Sequence, residues 1–317
     1  KSHASTISGG PGTGKTLIQR FVLDIYKAAD PKAKIVCCAP TGRAARRMTQ
    51  STGYPASTVH RALGLMYCED GKYNDPTEID ADLVLVDEVS MLDIHIASLL
   101  FGSLRYGTQI VLIGDADQLP SVGPGAVLSE LIGCGQVPVA ILDNVYRQIS
   151  GSRVATNARR IRHANMQLEY GEDFLLYESP DLRKSAELIE QIYMNEVKAC
   201  GVDNVALLTP FRKKTQTGAN ALNERIRDRI NPPSQGKPEI VYGNRIFRLG
   251  DKLMQTQNVE DINNGDVGYN TKTTPGPDEA SILVDFGDGR VSEYERSFLD
   301  QLDLAYASTI HKSQGSE

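Results

Sequence analysis

The run Gly9-Gly10-Pro11-Gly12-Thr13-Gly14-Lys15-Thr16 fits G-x-x-x-x-G-K-[ST], the pattern of a loop that holds phosphate. Glycines let backbone N–H groups turn inward where a side chain would block approach. A helix starting at the end of such a loop adds partial positive charge. Lys15 is expected to reach the β- and γ-phosphates of a nucleotide and Thr16 to hold Mg²⁺. A second stretch, Leu83-Val84-Leu85-Val86-Asp87-Glu88, is an apolar run that ends in two acids. Asp87 suits Mg²⁺, and Glu88 suits activation of an attacking water as general base. In a third, Ile113-Gly114-Asp115-Ala116-Asp117-Gln118, another apolar run delivers a polar loop in which Gln118 could report the γ-phosphate. In a fourth, Asn144-Val145-Tyr146-Arg147-Gln148, Arg147 could serve as an arginine finger, a device worth about 10³–10⁵ in rate. The chemistry implied is nucleotide hydrolysis.

Those side chains need a scaffold that brings strand ends together. Apolar periodicity predicts strands over 3–8, 34–39, 83–86, 109–113 and 137–142, and helices over 16–28, 42–52, 94–104, 125–132 and 152–163. Such alternation is the signature of an α/β fold with a parallel sheet. Asp-Gly and Asp-Pro signals within 64–80 predict a small hairpin excursion. A second α/β unit is expected from about 145, with a helix over 182–198, a strand over 205–208 and a helix over 219–230. Pro232-Pro233-Ser234-Gln235-Gly236 breaks the pattern, and short β runs over 240–302 predict a small barrel inserted in that unit. The segment 304–308 reads as a return to the parallel sheet. The domains expected are therefore 1–144, with the hairpin excursion inside it, then 145–236, the β insert 237–303, and 304–317. No internal repeat is evident.

Bulk properties narrow the setting. The chain has 317 residues, a net charge of −6 and five cysteines without a CxxC pair, which points to a reducing cytosol, here the prokaryotic cytosol or nucleoid. No run is long and apolar enough for a membrane span, so no membrane partner is expected, and the histidines suggest no zinc site. Overall acidity argues weakly against a nucleic-acid partner, but charge is segregated. The stretches 41–61, 145–164 and 211–214 are basic, while acids gather over 169–196. A groove for a polyanion would look like this, and so would solvated helix faces.

The motifs "GGPGTGKT", "APTGRAARRM", "STVHRALG", "LVDEVSM", "GDADQLPSVGPGAVL", "VYRQ", "NNGDVG" and "ASTIHKSQGSE" occur in the order seen in superfamily 1 helicases. The chain resembles the RecD-like branch of that superfamily, over essentially its whole length. The resemblance implies two RecA-like P-loop domains with ATP between them, an SH3-like β-barrel in the second, and single-stranded DNA lying across both. It also implies movement from 5′ to 3′ and a role at duplex junctions in DNA repair or recombination, as a monomer, with any nuclease-complex partner unspecified.

Carried over residue by residue, the resemblance assigns Gly10, Pro11, Gly12, Thr13, Gly14, Lys15 and Thr16 to the ATP phosphates, and Thr16 and Asp87 to Mg²⁺. Asp87 and Glu88 form the acidic pair, Gln118 is the γ-phosphate sensor and Arg147 the cleft-crossing arginine, while Glu317 falls at the ribose. Pro40, Thr41, Gly42 and Arg43 match one strand-contacting motif, and Thr58 and His60 a second. Thr309, His311, Lys312 and Ser313 match a third. The excursion 64–80 sits where the family carries a duplex-splitting pin, and Tyr54, Tyr67 and Phe211 are the aromatic candidates for stacking, with packing the commoner fate. The family's adenine-reading glutamine motif and its downstream arginine motif lie outside this sequence, so a protein ending at Glu317 is expected to hydrolyse ATP poorly. An RNA helicase, an ATP-dependent switch and a small-molecule kinase remain as alternatives, in falling order of fit.

Overall fold

The computed structural model describes residues 3–66, 73–144, 152–213, 215–259, 261–276 and 279–314. The chain divides into two compact units, residues 1–176 and 177–317, so that the segment after 145 that is described folds with the first unit up to 176.

The first unit is an α/β layer structure. Its strands are β1 (Ala4–Gly9), β2 (Ile35–Ala39), β3 (Ala56–Thr58), β4 (Leu83–Val86), β5 (Gln109–Gly114) and β6 (Val139–Leu142). Its helices are α1 (Lys15–Ala29), α2 (Gly42–Thr52), α3 (Val59–Ala62), α4 (Ile94–Gly102), α5 (Val127–Gly133) and α6 (Arg153–Arg162). The six strands form one sheet in the order β3-β2-β4-β5-β1-β6, and every pairing is parallel.

Parallel strands covered on both faces read as unbroken apolar runs, and all four residues of β4 are buried. Side chains alternate across the sheet. Leu83 and Leu85 join Leu23 of α1 and Met48 of α2 in one core, whereas Val84 and Val86 join Ile96 and Leu100 of α4 and Leu128 of α5 in the other. Cys37 and Cys38 divide between the same two cores, and burial raises both thiols to about 12, so they are inert packing groups.

The second unit opens with α7 (Leu182–Cys200), β7 (Leu207–Thr209) and α8 (Ala219–Ile230). A β-rich segment follows: β8 (Glu239–Tyr242), β9 (Arg245–Arg248), β10 (Lys252–Gln255), β11 (Val267–Thr274), β12 (Ser281–Asp285), β13 (Val291–Glu295) and β14 (Leu302–Leu304). The chain then returns through β15 (Ala307–Thr309) to α9 (Ile310–Ser313). Strands β13-β12-β11-β10-β14 make an antiparallel sheet, β8 and β9 make a separate hairpin, and β15 pairs parallel with β7. Among the described residues the parallel part of this unit is thus two strands, flanked by α7 and α8.

A buried polar joint ties the β-rich segment to α8. Asp251 is fully buried and accepts from Asn231 Nδ2 (2.7 Å), from the Arg248 N–H (2.7 Å) and from Tyr306 Oη (3.3 Å). Arg227 donates to the Ile246 carbonyl at 2.8 Å. Buried polar groups of this kind are tolerable only when each has its partner.

Element boundaries expected from the sequence fall within a few residues of those observed, helix 42–52 and helix 219–230 coinciding with α2 and α8. The excursion expected over 64–80 is described only at its base. There Asn74 Nδ2 donates to the Gly64 carbonyl at 3.0 Å and the Thr77 N–H to the Leu63 carbonyl at 2.9 Å, so the two limbs run side by side. Residues 67–72, including Tyr67, lie outside the described residues.

Candidate nucleotide and nucleic-acid sites

Because all six strands of the first unit run parallel, the loops that follow β1, β4 and β5 leave the same edge of the sheet, where ligands bind in open α/β folds. Strand order puts these three ends side by side: Ser8 is opposite Gly114, and Val86 is opposite Leu112. The phosphate loop therefore sits beside the loop that carries Gln118, with the Asp87–Glu88 corner next to that.

The loop itself is built around glycine. Gly12 and Gly14 have φ of 75° and 88°, and a Cβ on Gly9 would lie 2.6 Å from Thr13 Oγ1. Thr13 Oγ1 donates to the Gly10 carbonyl at 2.8 Å. Lys15 Nζ donates to the carbonyls of Gly9 (2.8 Å) and Gly10 (3.0 Å). Pro11 and the Thr16 side chain, in the first turn of α1, are exposed. The first turn of α1 carries no acid, so its N-terminal charge is uncompensated from within.

Asp87 and Glu88 occupy a tight corner. Gly114 allows it, since a Cβ there would strike Leu128 Cδ2 at 2.8 Å and crowd the backbone of Val89. Glu88 has a φ of 51°, the left-handed region that a non-glycine residue enters rarely and mostly at functional sites. Burial pushes its carboxyl above the usual range; the Asp87 charge pushes it further, and Lys15 and Arg47 pull it back. Its Oε2 is buried without a hydrogen-bond partner. Burial likewise raises Asp87, opposed by the neighbouring Gln19 side chain and by the charges of Lys15 and Arg47. Gln118 follows a turn in which the Asp117 N–H donates to Asp115 Oδ1 at 3.1 Å and the Gln118 N–H to the Asp115 carbonyl at 3.2 Å.

A glycine cradle, a lysine on its rim, an exposed hydroxyl, the neighbouring Asp87 carboxylate and an orphaned Glu88 oxygen fit a Mg²⁺-nucleotide. Thr16 and Asp87 would hold the ion, which usually takes one or two protein ligands plus phosphate and water. Among the described residues no group of three or more His, Cys, Asp or Glu could hold a metal alone. Arg147 and Glu317 lie outside the described residues.

The residues matched to strand contact fall into one set per unit. In the first, β2 and β3 are neighbours with Ala39 opposite Thr58, which brings Pro40, Thr41, Gly42 and Arg43 beside Thr58 and His60. Thr41 Oγ1 caps α2 by accepting from the Ala44 N–H at 3.2 Å, and Gly42 is buried. The His60 ring lies 5.4 Å from that of Tyr73, and burial lowers its pKa against the raising effect of Asp93. In the second unit, Thr309 leads into α9, His311 is exposed and Ser313 Oγ donates to the Ile310 carbonyl at 2.8 Å. Lys312 is half-buried against Met254 Sδ (3.7 Å), which lowers its pKa, with Asp303 opposing the shift.

These two sets contain a repeat that the sequence reading passed over. Ala56-Ser57-Thr58-Val59-His60-Arg61 and Ala307-Ser308-Thr309-Ile310-His311-Lys312 each form a three-residue parallel strand followed by one helical turn. Thr58 Oγ1 accepts from the Arg61 N–H at 3.2 Å, and Thr309 Oγ1 from the Lys312 N–H at 3.3 Å. At six residues the match is too short to stand out by eye, although Ala-Ser-Thr-x-His followed by a base was there to find. Gln19, a polar residue on an inward face of α1, was also missed, and its partner could not be known without the fold.

The basic stretches are less free than charge alone suggests. Arg153 pairs with Asp173 (2.9 Å), Arg160 with Glu169, Arg162 with Asp117, and Arg212 with Asp303 (2.6 Å). Tyr54 packs against the α1–α2 core and donates to Asp24, so it is a packing residue, whereas Phe211 is 52% exposed.

Comparison with known proteins agrees with these features. The profile of the AAA domain matches residues 1–124, and that of the ATP-dependent RecD-like DNA helicase SH3 domain matches residues 222–286. The chain is 35% identical to the ATP-dependent RecD2 DNA helicase of Deinococcus radiodurans, over 98% of this chain and 41% of that protein. It is 28% identical to the RecBCD enzyme subunit RecD of Mycobacterium tuberculosis, over 99% of this chain and 60% of that protein. It thus spans only about two-fifths to three-fifths of these relatives' lengths. A solved structure of Pif1 helicases at forked double-stranded DNA shares the fold, with a TM-score of 0.57, 18% identity, and coverage of 98% of this chain and 79% of that one. By motif order, profile matches and similarity that runs along 98% of this chain, the RecD-like branch of the superfamily 1 helicases supplies its homologues, each matched over part of its own length.

Proposed function

We propose that the protein is an ATP-dependent DNA helicase that translocates on single-stranded DNA from 5′ to 3′ and opens duplex junctions, as a monomer. The observation that carries the reading is the cluster at the sheet edge: Lys15 on the phosphate loop, and Asp87 and Glu88 at the end of β4, close enough that Lys15 opposes the pKa rise of both acids. Lys15 would neutralise the phosphates, and Thr16 and Asp87 would hold Mg²⁺, which would supply charge stabilisation at the terminal phosphate. Glu88, its carboxylate raised by burial and one oxygen unsatisfied, accepts a proton from the attacking water. Gln118 and Arg147 complete the set by resemblance. The RecA-like character of the two units and the closure of the SH3-like segment into a barrel rest on the same resemblance.

The matched Ala-Ser-Thr turns, one in each unit, support two separate grips on a nucleic-acid backbone. Hydroxyls, backbone N–H groups and a following base suit phosphate contact without reading sequence. DNA repair and recombination are the processes that the names of the relatives bring with them.

The deciding measurement is ATPase rate with and without single-stranded DNA, for the wild type beside Lys15→Ala and Arg147→Ala. Strong stimulation in the wild type and near-background rates in both variants are expected; a Lys15→Ala protein with unchanged turnover removes the phosphate loop from the mechanism. Unwinding of 5′-tailed against 3′-tailed duplexes tests the polarity.

A further inference from the structure

Two cationic side chains lie against Gly10 of the phosphate loop. Lys15 Nζ donates to the Gly10 carbonyl at 3.0 Å, and a methyl group built on Gly10 would lie 3.0 Å from Arg162 Nη1. Arg162 is the last residue of α6, within the first unit, and its guanidinium pairs with Asp117, the residue before Gln118. Lysine in a loop of this pattern reaches the β- and γ-phosphates. The Lys15 ammonium therefore marks the terminal-phosphate end of the loop, and Arg162 stands at that same end.

The Arg162–Asp117 pair is open to water, with side-chain exposures of 42% and 43%. An exposed pair is weak and exchanges partners readily. A guanidinium offers a planar fork of donors that suits phosphate oxygens and keeps its charge at any physiological pH. Nothing in the motif order points to Arg162, because it lies on the helix after "VYRQ" rather than in it.

We propose that Arg162 is a further nucleotide-binding residue: it exchanges Asp117 for the terminal phosphate of a nucleoside triphosphate. The exchange frees Asp117, so the ion pair that ties α6 to the loop carrying Gln118 is broken in the triphosphate complex and kept in the diphosphate complex. The inference rests on the nucleotide reading of the phosphate loop and adds a triphosphate-against-diphosphate discriminator to it.

The test is equilibrium binding of ATPγS and of ADP, each with Mg²⁺, to the purified chain and to Arg162→Ala, Arg162→Lys and Asp117→Asn, with thermal melts to compare folding. Loss of a charge-assisted contact predicts that Arg162→Ala binds ATPγS about tenfold more weakly, while ADP affinity changes by less than about twofold. Arg162→Lys is expected to fall between, and Asp117→Asn, which leaves the guanidinium unclaimed, to bind ATPγS at least as tightly as the wild type. A wild-type ratio of ATPγS to ADP affinity in a folded Arg162→Ala protein overturns the proposal. So does parallel weakening of both nucleotides by Arg162→Ala and Asp117→Asn, the pattern of a merely structural ion pair. Binding of neither nucleotide by folded wild type, unchanged by Lys15→Ala, would remove the nucleotide reading itself.

Discussion

The side chain of Gln19 faces the carboxylate of Asp87 closely enough to lower its pKa, and so links the helix of the phosphate loop to the acidic corner after β4. Gln19 is only 2% exposed and lies one helical turn beyond Lys15. Burial favours the protonated form of Asp87, and the amide donor favours the ionised form that a cation needs.

On the proposal that Asp87 holds Mg²⁺, Gln19 is a residue that orients that ligand. Outer partners of metal ligands are worth about 10–100-fold in metal affinity. Gln19→Leu is expected to raise the Mg²⁺ concentration needed for half-maximal ATPase activity by about tenfold, with a smaller change at saturating Mg²⁺. An unchanged Mg²⁺ titration in a folded variant would show that the amide does not matter to Asp87.

Glu88, the proposed general base, makes stability depend on pH. Its folded-state pKa is raised, so the folded protein holds this proton more tightly than the unfolded chain does. The associated stability is fully present below the unfolded-state value and is lost as pH rises through the folded-state value. At neutral pH the buried carboxylate is therefore a cost, one that Glu88→Gln removes. The variant is expected to lose about 10²–10⁴ in ATPase rate. It should also be more stable than wild type at pH 7 and melt higher, with the gain gone below the ordinary glutamate range. A melting difference that is flat across pH would show that ionisation of Glu88 carries no such cost.

Asn223 holds the strand that leads to the second Ala-Ser-Thr turn. Its Oδ1 accepts from the Ala307 N–H at 2.7 Å and its Nδ2 donates to the Ala307 carbonyl at 2.9 Å, all of it buried. Asn223→Ala leaves two buried backbone groups unsatisfied and is expected to cost about 2–4 kcal/mol, read by denaturant unfolding of the chain. A loss within the scatter of surface substitutions, about 0.5 kcal/mol, would mean that water or local movement replaces the amide.

Lys312 tests the strand-binding assignment. If it contacts phosphate, Lys312→Ala weakens single-stranded DNA binding to a similar extent on every sequence, and the slope of log affinity against log salt falls by about 1. An unaltered salt slope would place the ammonium away from the backbone of the strand.

Much of the site was legible because its signals are local. The spacing Gly9 to Thr16 and the acids that end the run Leu83–Val86 are short-range facts, and backbone sterics translate each directly into a loop or a strand end, whereas the capping by Thr41, Thr58 and Thr309 emerged only with the structure. Alternation of apolar runs likewise settled that the first unit is a parallel α/β layer, and short β runs with turn residues marked the β-rich segment of the second. Tertiary structure alone decided the order β3-β2-β4-β5-β1-β6, which brings together the ends of β1, β4 and β5 from positions far apart in the chain. It alone gave Gln19 to Asp87, Arg162 to Asp117 and Asn223 to Ala307. The reason is physical: secondary structure follows from the energetics of neighbours in sequence, whereas the partner of a buried amide or a surface guanidinium is fixed by packing between segments that sequence leaves far apart.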